Sequence, residues 1–263
     1  MLEGLGLEYE THGEGENVLL IHGSHIADSF LPWNKEPALA RYRLIRYHRR
    51  GFAGSQAVSH AFTIEQQAHD ALALLKHLGV GRAHVIGHSY GGAIALQLAL
   101  EASDIVRSLV LMEPGLMMVP SAPAFFEAIA PAMGRYGSGD VAGAVDGFMR
   151  VVAGPEWRTE VARHVPGGPE QAEGDGATFF GVEIPALEKW VFDGARATRI
   201  SQPVLYVIGA ESPALFEEGR QLVRAWLPQT EEFVVPETDH TLQMRKPGLI
   251  AQGVADFLGR HES

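Results

Sequence analysis

The sequence contains no cysteine among its 263 residues. Disulfide bridges and thiolate metal sites are therefore excluded, together with folds that depend on such crosslinks. Basic residues are also scarce, with 21 Lys and Arg against 32 Asp and Glu, which gives a formal net charge of -11. This charge repels phosphate backbones and anionic lipid surfaces, so neither nucleic acid nor a membrane is expected as a partner.

Long hydrophobic runs are missing as well. No apolar stretch approaches the roughly 20 residues that span a bilayer, and residues 1–4 lack the basic and apolar regions of a secretory signal. We therefore expect a cytoplasmic protein. Hydrophobic residues make up 46% and charged residues 20% of the chain, a composition typical of a folded globular protein.

One apolar strand runs directly into a serine flanked by glycines. Residues 84–92 read His-Val-Ile-Gly-His-Ser-Tyr-Gly-Gly, and the helical segment 93–101 follows. A serine on so tight a strand-to-helix turn has its hydroxyl exposed above the sheet, with a helix N-terminus that stabilises developing negative charge. Ser89 is therefore the candidate nucleophile. A plain glycine-rich connection is the weaker interpretation, because the strand–turn–helix context that the motif requires is present.

Strand and helix patterns alternate over most of the chain. Apolar runs predict strands at residues 5–11, 18–21, 43–47, 84–86, 106–112, 203–208 and 231–235. Helical spacing and capping signals predict helices at residues 64–78, 93–101, 215–226 and 249–260. This alternation is typical of an α/β fold with a mostly parallel sheet and helices on its faces.

The alternation stops between residues 115 and 199. Helices are predicted there at residues 122–133, 141–152, 156–164 and 186–192, and the Gly/Pro-rich stretch 166–176 is interpreted as a connection. The chain is thus divided into a core domain, residues 1–114 and 200–263, and an inserted helical cap, residues 115–199. Some aromatic and methionine side chains of the cap are expected to line a pocket, and the candidates are Met117, Phe125, Trp157 and Trp190.

A histidine lies in the loop after the last predicted strand. That loop and the Ser89 turn are at the same edge of a parallel sheet, so His240 is the candidate general base. Backbone N–H groups after the first buried strand and after the nucleophile can point at a substrate oxygen, which makes the Ser24 and Tyr90 amides oxyanion-hole candidates. No histidine spacing indicates a metal site, and the chemistry needs no cofactor.

Together these motifs resemble the α/β-hydrolase superfamily. The resemblance covers nearly the whole chain, through His22-Gly23, Arg49–Phe52, Gly87–Gly92 and Asp239-His240 with the helical cap between them. It implies a mostly parallel sheet of the eight-strand type and a hydrolase. Members include esterases, lactonases, thioesterases, carbon–carbon bond hydrolases and cofactor-free haloperoxidases. Epoxide hydrolases and haloalkane dehalogenases of this fold carry aspartate in place of the serine in the turn 87–91, which we call the elbow, so Ser89 disfavours both activities.

The position of the catalytic acid departs from the usual pattern of this superfamily. Most relatives place it three residues past the glycine that ends the 203–208 strand, where this chain has Ser212. In a minority, including zearalenone-type lactonases, the acid follows the preceding strand, where Glu113 stands. Asp239 and Glu211 are the other candidates. Asp239 adjoins His240, and the side chains of consecutive residues point apart. Glu211 lies one residue before the usual position of the acid. The resemblance favours Glu113 and implies a lactone or carboxylic ester as substrate.

The sequence therefore predicts a serine hydrolase that cleaves an ester or lactone of an apolar small molecule through an acyl-enzyme. A thioesterase or a carbon–carbon bond hydrolase using the same residues is one alternative. A ligand receptor of this fold with only trace turnover is another. A homodimer is left open, and the sequence does not determine the acyl and alcohol portions of the substrate.

Overall fold

The computed structural model of the protein describes residues 6–58 and 60–262. Seven strands of this part of the chain form one sheet: β1 (Tyr9–His12), β2 (Glu16–Ile21), β3 (Tyr42–Tyr47), β4 (Ala83–His88), β5 (Val106–Met112), β6 (Val204–Gly209) and β7 (Thr230–Val235). The count is one fewer than the eight-strand type that the resemblance implies. Residue 5, where the first strand was predicted to begin, lies outside the described residues.

The strand order places a topological switch point beside the nucleophile strand. The order across the sheet is β1-β3-β2-β4-β5-β6-β7, and β1 alone runs antiparallel to its neighbour. The chain leaves β2 toward β3 on one side and later returns to form β4 on the other. Such a reversal opens a crevice beyond the carboxyl ends of the two central strands. The loops that follow β2 and β4 border this crevice.

Helices cover both faces of the sheet. One face packs against α1 (Ile64–His77), α2 (Tyr90–Glu101) and α9 (Ala214–Trp226), and the other against α11 (Pro247–Gly259) and the short 3-10 helix Leu31–Lys35. Helix α1 begins at a capping box, in which the Thr63 hydroxyl accepts from the backbone N–H of Gln66. The structure therefore has the predicted α/β architecture, with one apolar core on each face of the sheet.

Residues 18–21 of strand β2 are all apolar because this part of the strand is covered on both faces. Leu19 and Ile21 lie in the core under α1 and α2, whereas Val18 and Leu20 lie in the core under α11. Because successive side chains of a strand point to opposite faces, a strand covered on both sides needs apolar residues at every position. The central strands thus form a rigid platform for the loops at their carboxyl ends.

Between β5 and β6 the chain is helical. Its helices are α3 (Ala122–Gly137), α4 (Val141–Ala153), α5 (Trp157–His164), α6 (Gly168–Thr178), α7 (Ile184–Lys189) and α8 (Gly194–Ala197), with the π-helical turn Phe179–Glu183 between α6 and α7. We refer to residues 115–199 as the helical insertion. Its core of apolar side chains also includes Ile26, from the loop after β2, and Met244, from the short helix Leu242–Arg245.

Two predictions within the helical insertion are corrected by the structure. The Gly/Pro-rich stretch 166–176 was expected to be a connection, yet α6 covers most of it. Gly176 packs so closely on Val141 and Val145 of α4 that any Cβ would overlap them, so tertiary packing requires the glycine that helix propensity disfavours. The helix predicted at 186–192 ends at Lys189, because Trp190 takes an extended conformation with ψ of 122°.

Within the described residues, no helix has both the length and the apolar character needed to cross a membrane.

Candidate active site

Ser89 occupies a strained turn between β4 and α2. Its φ of 54° and ψ of -121° lie in a backbone region that residues other than glycine rarely adopt. Three backbone hydrogen bonds hold the turn: the Ser89 amide donates to Met112 O at 2.9 Å, and the amides of Gly92 and Gly115 donate to Ser89 O at 2.9 and 2.8 Å. The strain is thus maintained by the surrounding backbone, and the side chain is directed out of the sheet edge.

The glycines on both sides of Ser89 are required by close backbone approach. A Cβ on Gly87 would overlap the carbonyl oxygen of Gly91, and a Cβ on Gly91 would overlap the carbonyl oxygens of Ile21 and His22. The elbow therefore packs directly on the end of β2. This contact places the loop after β2 beside the nucleophile.

Glu113 and His240 form a buried hydrogen-bonded pair. Glu113 follows β5 with a φ of 47°, and its Oε2 lies 2.5 Å from Nδ1 of His240. Its second oxygen, Oε1, accepts from the Gly209 amide at 2.8 Å and from the Ser212 hydroxyl at 2.5 Å. Both oxygens thus have hydrogen-bond partners, which is the condition for burying a carboxylate.

The alternative carboxylates lie elsewhere. Oδ1 of Asp239 accepts from the amide and hydroxyl of Thr241, and its Oδ2 faces Arg245. Glu211 is exposed on the turn after β6. The structure therefore brings Glu113, and neither of these two groups, to the His240 ring.

Burial changes the proton affinities of the pair in opposite directions. It raises the pKa of the Glu113 carboxyl to about 7, although the hydrogen bonds from Ser212 and Gly209 act to lower it. Burial lowers the pKa of the His240 imidazole to about 3. Both shifts follow from the cost of placing a charge in a medium of low dielectric constant.

The His240 ring is held from both sides. Phe216 stacks on it with ring centroids 4.0 Å apart, and the His88 ring lies 4.6 Å away. Nε2 of His88 donates to the His240 carbonyl at 2.8 Å, and Gln243 donates from Nε2 to Nδ1 of His88 at 3.1 Å. Burial lowers the pKa of His88 to about 3, so it acts here as a neutral donor.

Sequence reasoning did not identify Phe216, His88 or Gln243 as neighbours of the site. The position of His88 inside the Gly-x-Ser-x-Gly motif was a signal that it lies near the nucleophile. Phe216 and Gln243 belong to α9 and α10 (Leu242–Arg245), where an apolar or amide side chain carries no local indication of its partner.

Ser24 and Tyr90 both border the cavity above Ser89. Ser24 follows the end of β2, and Tyr90 is the first residue of α2. Within the described part of the chain, neither N–H donates to a protein acceptor. Two unengaged amide donors beside a strained serine form an arrangement that can bind an oxyanion.

The cavity above Ser89 is small and apolar. Its volume is about 40 Å³, and Ser89 and His240 both line it. Most of its wall comes from apolar side chains: Met117, Phe125, Phe126, Ile129, Phe148, Val152, Phe179, Ile184, Leu187, Leu215 and Phe216. A second cavity of about 30 Å³ shares Ser24, Ser89 and His240 with the first, and Ser29, His88 and Gln243 are in its wall.

Only two of the four predicted pocket residues line this cavity. Met117 and Phe125 do, whereas Trp157 and Trp190 are packed in apolar cores away from it. Their indole N–H groups explain the correction, because a buried indole needs an acceptor. Trp157 donates to Asp146 at 3.1 Å and Trp190 to Gln97 at 2.9 Å.

Across residues 6–58 and 60–262, no three His, Asp or Glu side chains are placed to share a metal ion.

Comparison with known proteins finds hydrolases. A protein of Variovorax paradoxus named carbamate hydrolase RutD is 27% identical over 262 residues, covering 97% of this chain and 96% of its own length. A soluble epoxide hydrolase of Corynebacterium sp. is 34% identical over 121 residues, which is 44% of this chain. That match spans only 42% of the epoxide hydrolase.

A solved structure supports the same fold. The enol-lactonase of Burkholderia xenovorans superposes with a TM-score of 0.78 at 20% identity and covers 96% of each chain. A model of the family described as alpha/beta hydrolase fold matches residues 16–166 of this sequence. Because that match spans more than half of the chain and agrees with the observed sheet and elbow, the protein belongs to the α/β-hydrolase family.

Proposed function

We propose that the protein is a serine hydrolase that cleaves a carboxylic ester or lactone of a small, uncharged, apolar molecule. The observation that carries this proposal is the buried hydrogen bond between Glu113 and His240, with Ser89 bordering the same cavity as the imidazole. A carboxylate, an imidazole and a serine in this order form the catalytic-triad arrangement of acyl-transfer enzymes. Lactonase and hydrolase relatives agree with this chemistry.

The reaction follows from the protonation of the imidazole. With the Nδ1 proton donated to Glu113, Nε2 of His240 carries a lone pair that takes the Ser89 proton. The Ser89 oxygen then bonds to the substrate carbonyl carbon, and the Ser24 and Tyr90 amides stabilise the negative oxygen. Collapse of this intermediate breaks the carbon–oxygen bond of the leaving group, which receives the proton from His240.

Water completes the cycle by the same route. His240 removes a proton from water, whose oxygen attacks the acyl carbon. The bond to Ser89 then breaks, and the serine oxygen regains the proton from His240. No group outside the protein, its substrate and water is required to balance the reaction.

A serine-directed probe tests this assignment. A fluorophosphonate is expected to label Ser89 in the folded protein, because the reagent reports a serine made nucleophilic by an adjacent base. Peptide mass spectrometry identifies the labelled residue. A folded protein that remains unlabelled at Ser89 contradicts the covalent mechanism, and tight binding of an apolar ligand with only trace ester turnover would indicate a receptor instead.

The cavity predicts a preference for short, uncharged acyl groups. About 40 Å³ is room for three or four groups the size of water, and none of the described residues lining it is Asp, Glu, Lys or Arg. We expect ethyl acetate and ethyl butyrate to be hydrolysed faster than ethyl octanoate by roughly tenfold or more. Monoethyl succinate should be a poor substrate because its carboxylate would be buried without a cation.

A matched pair of variants tests whether the cavity wall sets this preference. Leu187→Ala shortens a wall residue and is expected to raise the ratio of octanoate to butyrate kcat/KM by roughly tenfold. Leu222→Ala truncates a similarly half-buried leucine of α9 that does not line the cavity, and it should leave the ratio unchanged. Equal ratios in both variants, or a better rate on the succinate ester, would count against the proposed substrate class.

The pH dependence of kcat/KM follows from the shared proton of the buried pair. The pKa of Glu113 is raised to about 7 and that of His240 lowered to about 3, so between these values the pair holds one additional proton. A protonated Glu113 donates to Nδ1 and leaves the ring proton on Nε2, which then cannot accept from Ser89. The active form therefore accumulates as the pH rises through about 7.

The profile should be measured between about pH 5 and pH 9 in the wild type and in Glu113→Gln. In the variant, the residual activity should show its acid limb below 6.5, the ordinary pKa of histidine, because burial lowers the pKa of His240 and the anionic partner is gone. The same limb in both proteins would show that another group controls the reaction.

A further inference from the structure

Arg49 is a fully buried cation whose hydrogen bonds converge on the loop after β2. Its side chain is 1% exposed. Nε donates to His22 O at 3.1 Å, Nη2 to Gly23 O at 2.9 Å, and Nη1 to the side-chain oxygen of Gln67 at 2.7 Å and to Glu183. Four separate acceptors, two of them backbone carbonyls, determine the position of this guanidinium.

The contact with Gly23 O acts on the Ser24 amide. The Gly23 carbonyl and the Ser24 N–H belong to one planar trans peptide, in which oxygen and hydrogen point in opposite directions. Holding the oxygen on the Arg49 side therefore directs the N–H away from Arg49. His22 reinforces this orientation: its Nε2 accepts from the Arg49 amide, so its Nδ1 carries the proton donated to Gly23 O at 2.6 Å.

Glu183 links the same loop to the helical insertion. It lies in the π-helical turn before α7 and is 0% exposed. Oε1 pairs with Arg49, and Oε2 accepts from the Ser24 hydroxyl at 2.5 Å. Glu183 thus holds the Ser24 hydroxyl, while Arg49 holds the peptide that carries the Ser24 N–H, so both members of one ion pair act on Ser24. The carboxylate also balances the charge of Arg49, so no net charge is buried beside the amide.

We propose that Arg49 and Glu183 are positioning residues for the oxyanion hole. Arg49 orients and polarises the Gly23–Ser24 peptide, and Glu183 holds the Ser24 side chain so that the amide faces the cavity. A cation on the carbonyl oxygen also makes the N–H a stronger donor to developing negative charge. This inference rests on the proposed function, in which the Ser24 amide binds the oxyanion.

One proposed donor of the oxyanion hole, the Ser24 amide, therefore depends on the helical insertion, which contains Glu183. Helix α1 contributes Gln67, which accepts from Arg49 and also donates from Nε2 to the Tyr90 hydroxyl at 3.0 Å. The Arg49 guanidinium carbon lies 4.9 Å from the centre of the Tyr90 ring. Arg49 therefore contacts the Tyr90 ring directly and reaches the Ser24 amide only through the Gly23 carbonyl of the same peptide.

The test replaces the ion pair without leaving a buried charge. In Arg49→Met/Glu183→Gln the Ser24 hydroxyl keeps an amide oxygen as acceptor, whereas Gly23 O loses the guanidinium. A neighbouring ion pair supplies the matched control. Arg50→Met/Asp70→Asn neutralises Arg50 and Asp70, which are 27% and 6% exposed and pair with each other rather than with Gly23 or Ser24.

Three quantities are measured for each protein: kcat, KM for ethyl butyrate, and the inhibition constant of butylboronic acid. The boronate forms a tetrahedral adduct with a reactive serine and places an oxygen in the oxyanion hole. In the ion-pair variant, kcat should fall and the boronate constant should rise by about 10- to 100-fold, with KM within about threefold. The control should keep all three within about threefold.

Arg49→Lys keeps the charge beside Glu183 but cannot hold two acceptors with a planar fork. Its kcat should also fall while KM stays nearly constant. This variant therefore tests the proposal even if the double variant does not fold. Circular dichroism and thermal melting establish that each variant is folded.

Folded variants that bind boronate as tightly as the control, or that lose kcat and change KM together, would overturn the proposal. The proposed function can fail separately. A wild type that binds boronate but hydrolyses none of the esters contradicts the substrate class, and the boronate constants then decide the role of Arg49. A wild type that binds no boronate has no oxyanion site at Ser24, which overturns the proposal.

Discussion

Ser89→Ala is expected to lower kcat for ethyl butyrate by roughly 10⁴- to 10⁶-fold, because losing the nucleophile of a triad removes nearly all covalent catalysis. The residual rate would come from binding and from the proposed oxyanion donors, the Ser24 and Tyr90 amides. Steady-state hydrolysis at saturating ester measures the loss. Ser29→Ala is a suitable control, since Ser29 is a buried serine in the wall of the second cavity and takes no part in the reaction.

The same position allows stability to be separated from catalysis. Ser89 is held at a φ of 54° and ψ of -121°, a conformation that costs a residue with a Cβ about 1–3 kcal/mol. Ser89→Gly removes that cost, whereas Ser89→Ala retains it. We therefore expect the glycine variant to melt above the alanine variant, by about 2–4 °C for each kcal/mol recovered in a chain of this size.

Calorimetry of the two variants checks this order. Both should be inactive, and the more stable one should be the glycine variant. A glycine variant that melts below the alanine variant would show that the elbow is not strained. Turnover by Ser89→Ala close to the wild-type rate would remove the serine from the mechanism.

Glu113→Gln should lower kcat by about 10²- to 10⁴-fold while the fold is kept. Glu113 accepts hydrogen bonds from His240, the Gly209 amide and the Ser212 hydroxyl. An amide has one oxygen and carries no charge, so it cannot accept from both sides and cannot stabilise the imidazolium that forms during the reaction. Circular dichroism and steady-state kinetics distinguish this loss from unfolding.

Two further variants sharpen the acid assignment. Glu211→Gln should cost little, because Glu211 is exposed on the turn after β6. Adding Ser212→Asp to Glu113→Gln should raise kcat at least about tenfold above that of Glu113→Gln alone. The reason is that it places a carboxylate at the position used by most serine hydrolases of this fold. If Glu211→Gln is the damaging change instead, Glu113 is not the acid, while the assignments of Ser89 and His240 can stand.

Local sequence patterns were sufficient to predict the central strands, the turn around Ser89 and the position of the His240 loop. Continuous apolar runs identified the central strands because those strands are covered on both faces, and the glycines around Ser89 identified the elbow because backbone approaches there leave no room for a Cβ. The loop position of His240 followed from the rule that the carboxyl ends of parallel strands share one edge. Each of these signals lies within a few residues of the feature it predicts.

Only the tertiary structure decided the contacts between distant segments. Glu113 was one of three carboxylates at the sheet edge, and the 2.5 Å hydrogen bond to His240 depends on how β5, β6 and the histidine loop meet. Glu183 showed no sequence signal at all, although its pairing with Arg49 joins residues 134 positions apart.

Packing likewise overruled local expectation in the helical insertion. Trp157 and Trp190 were expected to face the pocket by their size and apolar character, but each indole N–H donates to an acceptor outside it: Trp157 to the partly exposed Asp146 and Trp190 to the buried Gln97. Propensity disfavoured a helix at α6, and close packing on α4 required its glycine. Periodicity records which side chains are apolar, whereas the partner that satisfies a buried polar group is decided only when the chain has folded.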